Sequence, residues 1–212
     1  MCGIAGSNNK ERAFTLYQSN LSRGYYSSGV VIVDNNSQWS TYKREGQFER
    51  TINGFDEAQY YLYHSRGPTT ETKEFNPINN HPFFYGDWIV SHNGIISNFK
   101  ALCEKYFPGD NFEGKTDSCI IPRLLSIKPT ITEALEELQG TFALWMFNHN
   151  TKRCYITRNA STLFGNTYTG DFSSTAFDGS VTLKEGVVYS ITNYKTIIEE
   201  VSYQANSPYF IL

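Results

Sequence analysis

Hydrophobic positions along the chain recur in short runs of the kind that form buried β-strands. The runs are rich in β-branched and aromatic residues, which favour strands over helices. Six of them are predicted as strands: 29–33, 87–91, 140–148, 153–157, 187–192 and 196–201. A seventh, strand-like run covers 59–64. Strand patterns therefore extend along most of the chain.

Helical patterns fall between these strands. In the best-bounded one, 130–139, Thr130 and Glu133 have the spacing of a capping box and Gly140 provides a stop. Its apolar residues fall on one face, so this helix should pack on a sheet. Three further helices are predicted, at 10–21, 97–106 and 117–127. Pro122 should bend or shorten the last of them.

This arrangement of elements favours layered sheets over a parallel βαβ fold. The strands are many, their connections are short, and the helices suffice to cover both outer faces. The sequence contains no repeat, no low-complexity tract and no Gly/Ser linker, so we expect one domain over residues 1–212. A chain of 212 residues can bury a core without a metal or a disulfide.

Charge and composition argue against several classes of function. Lysine and arginine number 18 against 21 acidic residues, a net charge of -3, which does not suit direct nucleic-acid binding. The longest apolar runs fall far short of the ~18 residues that a membrane span requires. The N-terminus lacks the features of a signal peptide, so a cytoplasmic location is expected. Scattered cysteines and histidines without ligand spacing predict free thiols and no metal site.

Cys2 is the first candidate for chemistry. Removal of Met1 would leave one residue with both a thiol and a free α-amino group. The amine titrates near ~7.7 to 8.0 and the thiol near ~8.5, so the amine can take the proton of the thiol. For a Met-Cys start taken alone, the alternative is a small apolar residue in a first strand.

Several ordered motifs further along the chain favour the catalytic interpretation of Cys2. They occupy 1–6, 23–29, 64–69, 81–83, 92–98 and 116–118. In order and spacing the chain resembles, over nearly its whole length, the class II glutamine amidotransferase domain, the cysteine branch of the N-terminal-nucleophile hydrolases. The likeness is greatest to the amidotransferase half of the glucosamine-phosphate synthases. It implies an α+β fold, a four-layer αββα sandwich of two mainly antiparallel sheets.

The resemblance also implies a reaction that needs no cofactor. Cys2 would attack the side-chain amide of L-glutamine, while the Asn93 amide and the Gly94 backbone N–H form the oxyanion hole. Water would then hydrolyse the γ-glutamyl thioester to glutamate. From the residues alone, an Asn-Gly pair after a strand is a hairpin turn, and we expect this turn to present the two donors.

Substrate contacts follow from the same resemblance. Arg66 and Thr69 occupy the positions that bind the α-carboxylate of glutamine, and Asp117 the position that holds its α-ammonium; Arg23 would support the nucleophile. The alternative for Arg66 is a surface ion pair, and Asp117 also suits a helix N-cap.

Two other features of the motifs qualify the resemblance. His81 and His92 are expected to form hydrogen bonds in the core. The chain departs from the family at Tyr26, where an acidic residue is usual, and at Gly67 and Thr70, which replace tryptophan and histidine. The resemblance implies that the segment 67–80 covers bound glutamine, so we expect these changes to alter closure and communication with an acceptor site.

The large synthases continue into an acceptor domain, and no such domain follows Leu212 in this sequence. We therefore expect a separate synthetase that receives the ammonia, with the apolar segment 207–212 either contacting that partner or docking on its own sheet. Two other functions remain open. One is a free-standing γ-glutamyl or acyl amidohydrolase, and the other is a catalytically silent glutamine-binding subunit, which retained Met1 would favour.

Overall fold

The computed structural model of the protein describes residues 1–52, 58–67, 75–110 and 116–206. Within these ranges the chain forms two antiparallel sheets. The first contains β1 (Gly3–Ser7), β2 (Ser27–Val33), β3 (Trp39–Glu45), β4 (Tyr60–Arg66), β9 (Phe164–Gly165), β10 (Phe172–Ser173) and β11 (Val181–Thr182), in the order β11-β9-β10-β1-β4-β2-β3. The second contains β5 (Phe83–Tyr85), β6 (Trp88–Ile96), β7 (Gly140–Asn148), β8 (Arg153–Asn159), β12 (Val187–Thr192) and β13 (Thr196–Ser202), in the order β13-β12-β8-β7-β6-β5.

The two sheets pack face to face, and β7 shows how the sequence specifies this. Successive side chains of a strand point to opposite faces. Ala143, Trp145 and Phe147 therefore enter the core between the sheets, where they meet residues of the first sheet such as Val31 and Leu62. The Trp145 indole N–H also donates to a backbone carbonyl of β4, at 3.3 Å.

Helices cover the outer face of each sheet. On the first sheet, α1 (Lys10–Ser19) packs through Phe14 and Tyr17 onto β2 and β4. On the second sheet lie α2 (Phe99–Tyr106), α3 (Ile120–Ile127) and α4 (Ile131–Glu136). The order of layers is helix, sheet, sheet, helix, which confirms the predicted αββα architecture. No helix among the residues described is long and apolar enough to span a bilayer.

The helices are shorter than the patterns predict. In α4, Thr130 Oγ1 accepts from the Glu133 N–H at 3.2 Å, as expected of the cap, yet the helix ends at Glu136. The backbone N–H of Gln139 instead donates to the Asn98 side chain at 3.0 Å, and β7 begins one residue later. Segment 117–127 divides into a 3₁₀ turn, Asp117–Cys119, and α3, whose third residue is Pro122, where no helical N–H is needed.

Candidate active site

Cys2 lies immediately before β1, which begins at Gly3. It lines a cavity of about 800 Å³ that lies over the ends of β4 and β6. The predicted site residues within the described part of the chain all line the same cavity: Cys2, Arg23, Arg66, Asn93, Gly94 and Asp117. Thr69 and Thr70 lie outside the described residues, as do the rest of 68–74 in the segment expected to cover glutamine, and the segment 207–212.

The thiol of Cys2 is half-buried and has few polar neighbours. Its Sγ lies 3.7 Å from the carbonyl oxygen of Gly67. Burial raises the pKa of the thiol, and the nearby chain terminus and the Arg66 guanidinium offset this only in part. The thiol is therefore protonated at neutral pH and needs a base before it can attack a carbonyl.

Arg23 and Asn93 hold the backbone of Cys2 in place. Arg23 Nε donates to the Cys2 carbonyl at 2.8 Å. In the amide orientation that satisfies both of its neighbours, Asn93 also donates to this carbonyl, at 2.9 Å, and accepts from Arg23 Nη2 at 3.3 Å. The three residues thus form one network around the predicted nucleophile, although Cys2 and Asn93 lie far apart in the sequence.

Asn93 and Gly94 lie within a strand, and the predicted hairpin turn is wrong. They belong to the nine-residue β6, where they pair with Ala143 and Phe142 of β7. Gly94 has φ +147°, and a Cβ there would lie 1.9 Å from the Thr141 carbonyl oxygen. Only glycine fits this approach of two strands, so the Asn-Gly pair continues the ladder instead of reversing the chain.

Arg66 ends β4 and is 8% exposed, so a surface ion pair is the wrong interpretation. Its Nη1 donates to Asn80 Oδ1 at 2.9 Å. Among the described residues, no carboxylate forms an ion pair with Arg66 and Asn80 is its one side-chain hydrogen-bond partner. A buried guanidinium without a carboxylate partner is suited to an anionic ligand.

Asp117 faces the same cavity from the start of the 3₁₀ turn. Its Oδ2 accepts from the backbone N–H of Ile96, at the end of β6, at 2.5 Å. The N-cap position belongs to Thr116, so the N-cap role suggested for Asp117 is wrong. The carboxylate instead ties the turn to the strand that carries Asn93 and Gly94, with Ser118 Oγ 3.4 Å from its Oδ1.

Three buried histidines lie at the cavity, and two of them, His81 and His92, line it. His92 is hydrogen-bonded as predicted, with Nδ1 2.8 Å from Ser118 Oγ and Nε2 3.3 Å from the Thr141 carbonyl. His81 differs, because neither ring nitrogen has a partner among the described residues and the ring stacks on His64 at 3.9 Å. Burial lowers the pKa of all three, that of His64 to about 3, so they are neutral and poor bases.

Two partners of the site residues were given no role by the sequence analysis. Asn80 holds Arg66, and Ser118 bridges His92 and Asp117. Ser118 lies in a motif of the resemblance, but no spacing pattern points to Asn80. In the part of the chain that the structure describes, no group of three or more His, Cys, Asp or Glu side chains has a geometry that could hold a metal ion.

Comparisons with known proteins agree with this architecture. The model of a family described as "Glutamine amidotransferase domain" matches residues 75–175, which include Asn80, Asn93, Gly94 and Asp117. A glutamine–fructose-6-phosphate aminotransferase (isomerizing) of Vibrio vulnificus is 29% identical over 179 residues, covering 76% of this chain and 29% of that protein. Its Staphylococcus epidermidis counterpart is 26% identical over 180 residues, covering 77% and 30%.

Solved structures share the fold. The glutamine phosphoribosylpyrophosphate amidotransferase of B. subtilis, solved with ADP and GMP, superposes with a TM-score of 0.77 at 19% identity, over 94% of this chain and 49% of that one. A second structure, described as the allosteric regulatory enzyme of purine biosynthesis, has the same TM-score at 18% identity, over 97% and 50%. The chain spans less than a third of the length of the curated relatives.

Proposed function

We propose that the chain is a class II glutamine amidotransferase domain and that it hydrolyses the side-chain amide of glutamine to glutamate and ammonia, with Cys2 as the nucleophile. One observation carries the proposal. A single cavity contains a thiol, an amide beside it, and two opposite charges, those of Arg66 and Asp117. This is the chemistry that a zwitterionic amino acid with a reactive side-chain amide requires.

Activation of the thiol depends on the mature N-terminus. While Met1 is attached, the Cys2 nitrogen is a peptide nitrogen and cannot act as a base. After removal of Met1, the free amine takes the thiol proton and the thiolate attacks the glutamine carbonyl carbon. Collapse of the tetrahedral intermediate breaks the C–N bond, and the ammonium of Cys2 protonates the departing ammonia. Water then attacks the thioester, which releases glutamate and restores the thiol.

The geometry of β6 supports an oxyanion hole at Asn93 and Gly94. The Ile96 N–H and the His92 carbonyl form hydrogen bonds away from β7, with Asp117 and His64. Backbone groups two residues apart on a strand point the same way, so the Gly94 N–H is expected to face the same open edge. Together with the Asn93 amide, it would offer two donors beside the thiol.

Arg66 and Asp117 would orient glutamine by its α-carboxylate and α-ammonium. Both side chains line the cavity that contains the Cys2 thiol. An amidohydrolase for simple acyl amides would have apolar groups at this end of the cavity. The charge pair therefore favours glutamine over the alternative acyl substrates.

The test is glutaminase activity of purified protein whose N-terminus has been checked by intact mass. We expect protein lacking Met1 to release glutamate and ammonia, and Cys2→Ala to lose this activity. Cys2→Ala should retain the thermal stability of the parent, because the Sγ makes only a long contact with Gly67. Hydrolysis by Cys2→Ala at the parent rate, or full activity with Met1 retained, would refute the mechanism.

We further propose that the ammonia passes to an acceptor on a separate synthetase. The aminotransferase names of the relatives support transfer of the glutamine nitrogen to an acceptor. Co-purification of such a protein, with stimulation of glutamine hydrolysis on its addition, would support this partner. Glutaminase activity insensitive to every co-purifying protein would favour the free-standing amidohydrolase. The cytoplasmic location stays a prediction.

A further inference from the structure

Asn80 is held in one orientation by three hydrogen bonds, beside Arg66 of the cavity wall. It is 1% exposed. Its Oδ1 accepts from Arg66 Nη1 at 2.9 Å and from Ser27 Oγ at 2.5 Å, while its Nδ2 donates to the Asn76 carbonyl at 2.6 Å. Ser27 and Arg66 are directly opposite each other on β2 and β4. Asn80 therefore connects the ends of two strands and fixes one arm of the guanidinium.

The chemistry of this partner matters as much as its position. A carboxylate at position 80 would pair with the guanidinium and compensate its charge in a mostly buried site. The amide carbonyl of Asn80 satisfies one N–H and leaves the positive charge uncompensated. Among the described residues, Nε and Nη2 of Arg66 form no hydrogen bond and no carboxylate pairs with the guanidinium, so nothing in this part of the chain occupies its second edge.

We propose that Asn80 is a positioning residue that presents Arg66 as an open, uncompensated cation and thereby selects ligands with a carboxylate. The inference deepens the proposed glutamine hydrolysis and rests on it for the identity of the substrate. Asn80 need not touch glutamine, because it acts through Arg66. Its neutrality is the property that carries the selection.

Asn80→Asp tests this by replacing an amide with a carboxylate of almost the same shape. We expect the KM for glutamine to rise by about tenfold, because the new carboxylate competes for the guanidinium, while kcat changes by less than about twofold. The KM for 4-aminobutanamide, which has the amine and amide of glutamine but no α-carboxylate, should not change. A merely structural role would affect both substrates equally.

Asn80→Ala is the matched control, because both variants lose the hydrogen bond to the Asn76 carbonyl but only aspartate adds charge. We expect a rise of about threefold in the KM for glutamine, again without effect on 4-aminobutanamide. If the aspartate variant does not fold, as judged by circular dichroism, this variant decides by the same comparison. An equal change for both substrates, or no change for glutamine, overturns the proposal.

Calorimetric binding to the Cys2→Ala protein separates this inference from the proposed function. Asn80→Asp in that background should weaken glutamine binding about tenfold and leave 4-aminobutanamide binding unchanged. A parent protein that shows this selective binding but no hydrolysis would refute the glutaminase proposal and support the role of Asn80. Hydrolysis by the parent, without selective weakening of glutamine binding in Asn80→Asp, would support the glutaminase proposal and refute the role of Asn80.

Discussion

Replacing Glu137 with glutamine should lower the free energy of unfolding by about 1 to 2 kcal/mol at neutral pH. Glu137 follows α4 and joins it to two other segments. Lys128 Nζ lies 2.6 Å from Oε1 and Lys105 Nζ 3.1 Å from Oε2, and the Tyr106 hydroxyl also donates to Oε1. Burial opposes ionisation, but these hydrogen bonds outweigh it and lower the pKa of Glu137 to about 2.

The magnitude follows from this pKa. The difference between the usual value of 4.5 and about 2 sets a ceiling of roughly 3 kcal/mol. The carboxylate is only half-buried, and screening by water reduces the ceiling to about 1 to 2 kcal/mol. Because the folded-state pKa is depressed, the stabilisation is fully present above pH 4.5 and is lost as the pH falls toward about 2.

Urea denaturation of the parent and Glu137→Gln, followed by tryptophan fluorescence over a range of pH, measures the difference. The difference in the free energy of unfolding between the two proteins should be largest at neutral pH and should decrease in acid. Glu104→Gln is the control, because this exposed glutamate of α2 forms no ion pair with the described residues and loses the same charge. A difference independent of pH, or an equal loss in Glu104→Gln, would refute the reasoning.

Two further predictions concern β6. Asn93→Ala should lower kcat for glutamine hydrolysis by about 100- to 1000-fold with little effect on KM, since it removes a donor needed mainly in the transition state; steady-state kinetics that show a change in KM alone would contradict this role. Gly94→Ala should lower both the thermal midpoint and kcat, because its Cβ would lie 1.9 Å from the Thr141 carbonyl oxygen. An unchanged melting curve, measured calorimetrically beside activity, would count against the close approach of β6 to β7.

Strongly patterned elements were predictable from the sequence. The structure has β7 and β12 at their predicted bounds, because long β-branched and aromatic runs have no competing helical period. The two-residue strands β9, β10 and β11 have no such signal and form only because neighbouring strands pair with them. The Asn-Gly pair shows the same limit, since its local turn preference yields to pairing with β7.

The residues of the candidate site were likewise predictable only in part. Ordered motifs indicated Cys2, Arg66, Asn93 and Asp117, although periodicity alone would not have brought them together. Local pattern did not indicate Asn80, because an asparagine next to a histidine and a proline is ordinary loop composition. Its importance depends on the side chain of Arg66, 14 positions earlier.

The sequence by itself determined the layered strand-rich class and the residue types available for chemistry. Both depend on local periodicity and on short motifs, which act over a few residues. Only the tertiary structure decided that Arg23 and Asn93 both donate to the Cys2 carbonyl and that the neutral amide of Asn80 accepts from Arg66. Each contact joins residues far apart in the chain, and Asn93 reaches from β6 of the second sheet to the residue before β1 of the first, so this geometry exists only once hydrophobic packing has set the two sheets against each other.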